Sequence, residues 1–362
     1  MTASQLSLRP LGVGEILDRA VRLYRRHFFT FIGIIALVQV PLVLAQMALN
    51  ILSLQTLNRP GETSPELLLA TSIGIMMLSV LGYIFVQSLG TAALTRAIAD
   101  SYLGRPVSLG GAYRKIGPVW RTVIAAMILV MLLALGLTAW WLLVPCVGWL
   151  TGLGMLLFLM MVISPMVAPV IVVERQRAGA SLRRAWDLAR RRFWPVVGFV
   201  LVLTLLVAVF MVIPSLLAQS LVSFGLIPMG GSFLQQQMLS TLLGSLIGLA
   251  LGLIIVPFQL TAMTLLYFDL RIRTEGFDLA VLAASLEQPL TPPASEEPLA
   301  VAPAAEVSPA DVALQSPPAP RTSLITGQEL AYFLLLTIGL AAVYIVLIVG
   351  LSALMAVSMG GV

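Results

Sequence analysis

The sequence predicts an all-α protein embedded in a membrane, with about seven spanning helices arranged as parallel repeats of an interfacial basic helix followed by a helical hairpin. Three observations carry that expectation. Hydrophobic residues fill 59% of the 362 positions and charged residues only 10%, against roughly 25% charge in a soluble domain. Apolar runs of about 20 residues, enough to cross a bilayer, recur along the chain. Finally, one basic segment occurs twice. Leu17/Leu182, Arg19/Arg184, Ala20/Ala185, Leu23/Leu188, Arg25/Arg190, Arg26/Arg191, Phe28/Phe193 and Gly33/Gly198 all match at a constant spacing of 165. A gapless match of that length is an internal repeat.

The chain opens with a polar stretch and a charged helix, so no cleavable signal peptide is expected at its start. From Ile16 to Phe28, side chains at Ile16, Ala20, Leu23 and His27 or Phe28 follow helical spacing, and arginines fill the other face. The segment from Leu182 to Phe193 repeats this, with Ser181 as its expected N-cap. Spans follow near 29–51, 68–94, 119–143, 148–172, 195–217, 240–268 and 331–357. Arg105 to Gly110 echoes Arg9 to Gly14, and the basic run at 113–120 again feeds an apolar span. The expected repeat units are therefore 9–104, 105–174 and 178–275, within a six-span domain covering 1–282. Residues 283–328 are rich in Pro, Ala and acidic residues without apolar periodicity; such a stretch cannot offset its ordering entropy and reads as a disordered linker. A last transmembrane helix occupies 329–362.

Charge sets the orientation. Lys and Arg cluster at 19–26, 96–121, 175–192 and 271–273, on one side of the successive spans, while the alternate loops carry little charge. The positive-inside rule then places the N-terminus in the cytoplasm of a bacterial inner membrane and the C-terminus outside. A net charge of +5 is accounted for by this bias, and no nucleic-acid partner is expected.

The residues available for chemistry are few. One cysteine and one histidine, Cys146 and His27, exclude a disulfide framework and a multi-histidine metal site, and no cofactor is expected. Arg19, Arg22, Arg25, Arg26, Arg183, Arg184, Arg190, Arg191, Arg271 and Arg273 are candidates for contact with anionic lipid headgroups or phosphates on the cytoplasmic face, each basic residue there contributing about 1 kcal/mol. Asp269 and Glu174 read as ion-pair partners for these arginines; a catalytic role would need a second titrating group beside them. Gln39, Gln87, Ser164 and Gln259 lie in spans that carry prolines, where they either line a polar cavity or satisfy broken backbone bonds. Gly244, Gly248 and Gly252 form two overlapping GxxxG steps that let a neighbouring helix approach, within the chain or across a homodimer.

Three stretches in order, Leu8 to Arg26, Ser181 to Leu188 and Tyr267 to Leu279, resemble the membrane domain of bacterial glycerophosphoryl diester phosphodiesterases, a domain that also occurs as a stand-alone protein. The resemblance covers roughly residues 8–282. Phosphodiesterases of that type carry a catalytic TIM barrel with a histidine pair and metal-binding carboxylates. A barrel needs about 250 residues of βα units, and His27 is the sole histidine, so the resemblance implies the membrane domain without the enzyme. The expected role is that of an accessory or scaffold protein contacting lipid and a protein partner. The alternative is a transporter or lipid-handling protein built around the polar mid-membrane residues.

Overall fold

The computed structural model describes residues 11–57, 65–102, 104–221, 233–276 and 326–359. Among them there is no strand, and the chain is helical almost throughout. Eleven helices are described: α1 (Val13–Arg26), α2 (Phe28–Leu57), α3 (Pro65–Tyr102), α4 (Leu109–Ile116), α5 (Trp120–Leu143), α6 (Val147–Phe158), α7 (Ser164–Glu174), α8 (Ala178–Arg190), α9 (Phe193–Leu221), α10 (Phe233–Glu275) and α11 (Gly327–Met359). A π-helical turn, Leu159–Ile163, joins α6 to α7 just before Pro165. Pro165 lacks the N–H that would continue the ladder, and the widened turn absorbs the break.

Five helical segments are long and apolar enough to cross a membrane: Phe28–Ile51, Trp120–Leu143, Val147–Glu174, Phe193–Leu217 and Met238–Glu275. The other two expected spans fall on α3 and α11, where shorter apolar stretches, Ser72–Gly82 and Gly327–Val343, are described. The linker expected at 283–328 lies outside the described residues except for its last three, which lead into α11.

The basic segments are short amphipathic helices, as their spacing dictates. In α1 the buried residues are Ile16, Ala20 and Tyr24, one stripe at i, i+4 and i+8. The buried residues of α8 include Ser181, Ala185 and Ala189, each 165 residues further on. The same spacing relates Phe31, Ile34 and Ile35 of α2 to Val196, Phe199 and Val200 of α9, all buried. Helix α4 joins this register one turn short. It starts 96 residues after α1, but its buried Ala112 and Ile116 stand 92 residues after Ala20 and Tyr24, as do Val123 and Ala126 after Phe31 and Ile34. The four missing residues are close to the 3.6 of one helical turn.

Helix starts follow local chemistry. The Glu15 carboxylate accepts from the Gly12 amide at the start of α1 (3.0 Å), and Ser108 Oγ accepts from the Gly111 amide at the start of α4 (3.2 Å). Ser181 does not cap α8. Ala178, Gly179 and Ala180 extend that helix by a turn, and the Ser181 hydroxyl instead donates back to the Ala178 carbonyl (2.7 Å).

The core gathers at one end of the bundle. The last turns of α3, all of α7 and residues 261–272 of α10 are almost wholly buried, whereas the far ends of α2, α3, α9 and α10 leave Leu44, Met76, Leu205, Leu216 and Leu246 exposed. Each amphipathic helix packs on a helix returning to this end, α4 on α3, α8 on α7 and α1 on α10, and α8 packs as extensively on α5. The Tyr24 hydroxyl reaches the Ile254 carbonyl of α10 (2.8 Å), one turn before Pro257, where the missing proline N–H weakens the ladder.

Small residues set one close packing, on α6. A side chain at Gly148 would strike the Trp140 carbonyl, one at Gly152 would lie 2.9 Å from Trp141 Cβ, and one at Gly154 would strike the Phe333 carbonyl of α11. The expected packing at Gly244 and Gly248 is not seen, because nothing lies within 4 Å of either position. Gly252 alone of that series is covered, by the Gln39 amide of α2.

Candidate functional site

Three carboxylates at the buried end of the bundle each hold a basic helix or the chain entering it. Glu174 is the last residue of α7, followed by Arg175 in the left-handed conformation (φ 53°). That turn sends the chain directly into α8, bringing Arg184 back over Glu174. Arg184 Nε lies 3.1 Å from Glu174 Oε2, and its two terminal nitrogens hold Glu275 of α10, Nη1 to Oε1 at 2.6 Å and Nη2 to Oε2 at 2.7 Å. The Tyr267 hydroxyl donates to Glu174 Oε1 (2.7 Å), and Arg271 Nε lies 3.3 Å from Glu275 and 3.7 Å from Glu174. Side-chain exposure is 0% for Arg271 and 2% for Glu174. Two guanidiniums thus neutralise two carboxylates away from solvent, the condition under which such charges are tolerated. Burial works to lower the Arg184 pKa, but its bonds to Glu275 and Glu174 outweigh this and raise it.

The second clasp ties the chain entering α1 to the end of α10. Asp269 Oδ1 accepts from the Leu11 amide (2.7 Å), its Oδ2 pairs with Arg273 Nε (2.7 Å), and Arg273 also donates to the Leu11 carbonyl. Beside it, Tyr102 stacks on Phe268 with ring centres 4.9 Å apart. Burial raises the Tyr102 pKa, and a hydrogen bond from Arg19 acts against that rise.

The third clasp centres on Asp100, near the end of α3. Lys115 Nζ of α4 approaches its Oδ2 at 2.8 Å, Arg96 Nη2 its Oδ1 at 3.2 Å, and Arg105 lies at 3.8 Å. A cavity of about 210 Å³ opens beside it, between the end of α3 and the first turns of α4.

These positions revise several expectations. Asp269 and Glu174 are ion-paired as their surroundings in the sequence implied. Arg184 and Arg271, expected at the headgroups, are withdrawn from the surface because their carboxylate partners are buried with them. Arg273 is committed to Asp269, and Arg190 to Asp187 (3.1 Å) and Glu329 of α11 (3.5 Å). Arg22, Arg25, Arg26, Arg183 and Arg191 are exposed, and Arg19 is half-buried. Of the polar mid-span residues, Gln39 is seated against Gly252, Ser164 and Gln259 are half-buried on α7 and α10, and the Gln87 side chain lies outside the described residues. Among the described residues no group of three His, Cys, Asp or Glu side chains is placed to share a metal ion.

Asp100, Lys115, Tyr267 and Glu275 were missed by sequence reasoning. A signal existed for the first: Ala93, Thr95 and Asp100 recur in the same spacing as Ala262, Thr264 and Asp269. Comparison with known proteins adds no further assignment, since no family model, curated protein or solved structure matches the chain.

Proposed function

We propose that the chain is a multipass protein of a bacterial cytoplasmic membrane, N-terminus inside, made of three parallel repeats and acting as an accessory scaffold without a catalytic site of its own. The observation that carries this reading is the clasped layer. Asp100, Glu174 and Asp269 each draw a basic helix, or the chain entering one, onto a returning helix. They leave Arg22, Arg25, Arg26, Arg183 and Arg191 exposed on the same end. A rigid cationic layer at the inner leaflet would seat the bundle on anionic lipid, and the broad exposed apolar faces beyond it suit lipid chains. The matching buried positions at spacings of 92 and 165 support the repeat plan. The resemblance of residues 8–282 to the membrane domain of glycerophosphoryl diester phosphodiesterases supports the same assignment.

The carboxylates argue for structure over catalysis. Each has its oxygens engaged by cationic side chains, where general-base chemistry would need one of them facing a substrate. The transporter alternative asks Gln39, Gln87, Ser164 and Gln259 to line one chamber, yet the Gln39 amide lies against Gly252 of α10. The test is affinity purification of the full chain from native membranes with protein and lipid mass spectrometry. A stoichiometric protein partner together with enriched anionic lipid is expected. A bare protein without lipid preference, moving a solute in proteoliposomes, overturns the reading.

A further inference from the structure

We infer that the cleft between α6 and α9 is a binding site for one anionic phospholipid, and that α11 fills this site and yields it by exchange. The inference rests on the membrane placement proposed above. Neighbouring hairpins do not meet alike: α2 packs on α10 and α5 on α3, whereas α9 meets the span α6–α7 chiefly at its π-helical turn. Helix α11 stands in the gap this leaves. It packs on α6, and its Tyr332 and Phe333 rings reach Phe193 and Trp194 at the start of α9, with ring centres 5.0, 5.7 and 5.5 Å apart. Glu329, Phe333 and Thr337 form its buried side, and residues 338–343 are all exposed. Only the first turns of α11 are therefore sunk in the cleft.

The buried side of α11 has the order of an anionic lipid, an acid followed by an apolar body. Glu329 sets its carboxylate 3.5 Å from Arg190 of α8, where a lipid phosphate would sit. Phe333 then lies among Phe158, Phe193 and Trp186. A helix is about 10–12 Å across with its side chains, so its departure leaves room for the chains of one phospholipid. Two donors on α8 fit a phosphate better than they fit Glu329. Trp186 stands one helical turn before Arg190 on the same face. An indole N–H can only donate, and that of Trp186 is buried without an acceptor among the described residues. Glu329 cannot serve both donors, because its Oε2 already accepts from the Thr326 amide (2.8 Å); a phosphate has further oxygens to offer. Asp187 also pairs with Arg190 (3.1 Å), but once Glu329 withdraws, Arg190, Arg191 and Arg192 outnumber that one carboxylate, and an anion is favoured.

The test uses the full chain in nanodiscs of phosphatidylcholine with increasing phosphatidylglycerol. Docking of α11 is read as the distance between spin labels at Ile338→Cys on α11 and Leu150→Cys on α6, both exposed, in a Cys146→Ser background. Bound phosphatidylglycerol is counted by native mass spectrometry. Glu329→Gln removes the charged tie of α11 and leaves the cleft intact. It should shift α11 toward the released state about tenfold, with one further phosphatidylglycerol retained per chain. Adding Arg190→Gln should weaken that lipid about tenfold, and adding Trp186→Phe, which keeps an aromatic ring but lacks the N–H, about fivefold. Arg121→Gln, an exposed change on α5, should leave it bound. Release of α11 without the further lipid, a further lipid that Arg190→Gln and Arg121→Gln affect equally, or an α11 that stays docked in Glu329→Gln at every lipid composition overturns the site. A native chain with no preference for phosphatidylglycerol fails the basic-layer reading, whereas the lipid gained in Glu329→Gln decides the cleft by itself.

Discussion

Arg184 grips the Glu275 carboxylate with both terminal nitrogens, at 2.6 and 2.7 Å, while its Nε reaches Glu174. One side chain of an amphipathic helix thereby joins the ends of α7 and α10, helices that stand far apart in sequence. The two carboxylates come from different hairpins, so this contact makes the bundle a single packed unit at its buried end.

Removing either kind of partner should be severe, because it strands a buried opposite charge. Glu174→Gln and Arg184→Ala should each destabilise the protein by about 3–5 kcal/mol, read as a large fall in the thermal midpoint by circular dichroism in detergent. Arg184→Lys should rescue little of this, since an ammonium cannot make the two-pronged contact. Full recovery by Lys would show that charge alone matters at this position.

His27 makes a separate prediction about acid. It ends α1 and stacks on Phe31, with ring centres 5.7 Å apart. Burial first, and the neighbouring Arg26 charge second, lower its pKa from 6.5. The unfolded chain therefore takes up a proton at a higher pH than the folded one. Stability contributed here is complete above pH 6.5 and is lost as the pH falls from there through the lowered folded value. His27→Gln should flatten the fall in thermal midpoint across that window; an unchanged slope would place the acid sensitivity elsewhere.

Much of this layout was legible in the sequence, and the reason is physical. The arginine-rich segments have a 3.6-residue stripe of apolar positions, and that period fixes Ile16 and Ala20 as inward, whereas the next inward residue is Tyr24 and not the expected Leu23. Lengths of apolar runs located the five helices long enough to cross a membrane for the same kind of reason. What periodicity cannot encode is which elements meet. Glu275 stands one turn from Arg271 on the same helix, but an i,i+4 pair is equally at home on a surface, and only the fold brings Glu174 of α7 to it and leaves it with 0% exposure. Likewise the glycines at 244 and 248 match a packing motif as well as those at 148 and 152 do, and the difference is set by where the partner helix runs.

Arg175 holds φ 53° to turn the chain from α7 into α8, and it is exposed. A non-glycine residue in the left-handed region carries roughly 1–2 kcal/mol of strain that glycine avoids. Arg175→Gly should therefore raise stability by up to about 1 kcal/mol after the extra freedom of glycine in the unfolded chain is counted. Chemical denaturation in mixed micelles measures this, and a loss of stability would mean that the Arg175 side chain contributes more than its backbone strain removes.

The attachment of α11 depends on the absence of a side chain at Gly154. Its amide lies 3.0 Å from Thr337 Oγ1, and any Cβ there would press on the Phe333 carbonyl. Backbone contact this close lets Phe333 slot among Phe158, Trp186 and Phe193, with ring centres 5.6, 5.8 and 5.7 Å away. Rigid backbone on α11 cannot yield to an added methyl group, so Gly154→Leu should push the helix off α6 without touching the clasps. A short bis-maleimide linking Trp194→Cys to Tyr332→Cys, whose native rings lie 5.5 Å apart, reports the docked state in a Cys146→Ser background. Cross-linking should be efficient with Gly154 and largely lost with Leu, while the thermal midpoint of the remaining bundle moves little. Retained cross-linking would show that the aromatic cluster and the Arg190 to Glu329 pair suffice to hold α11 in place.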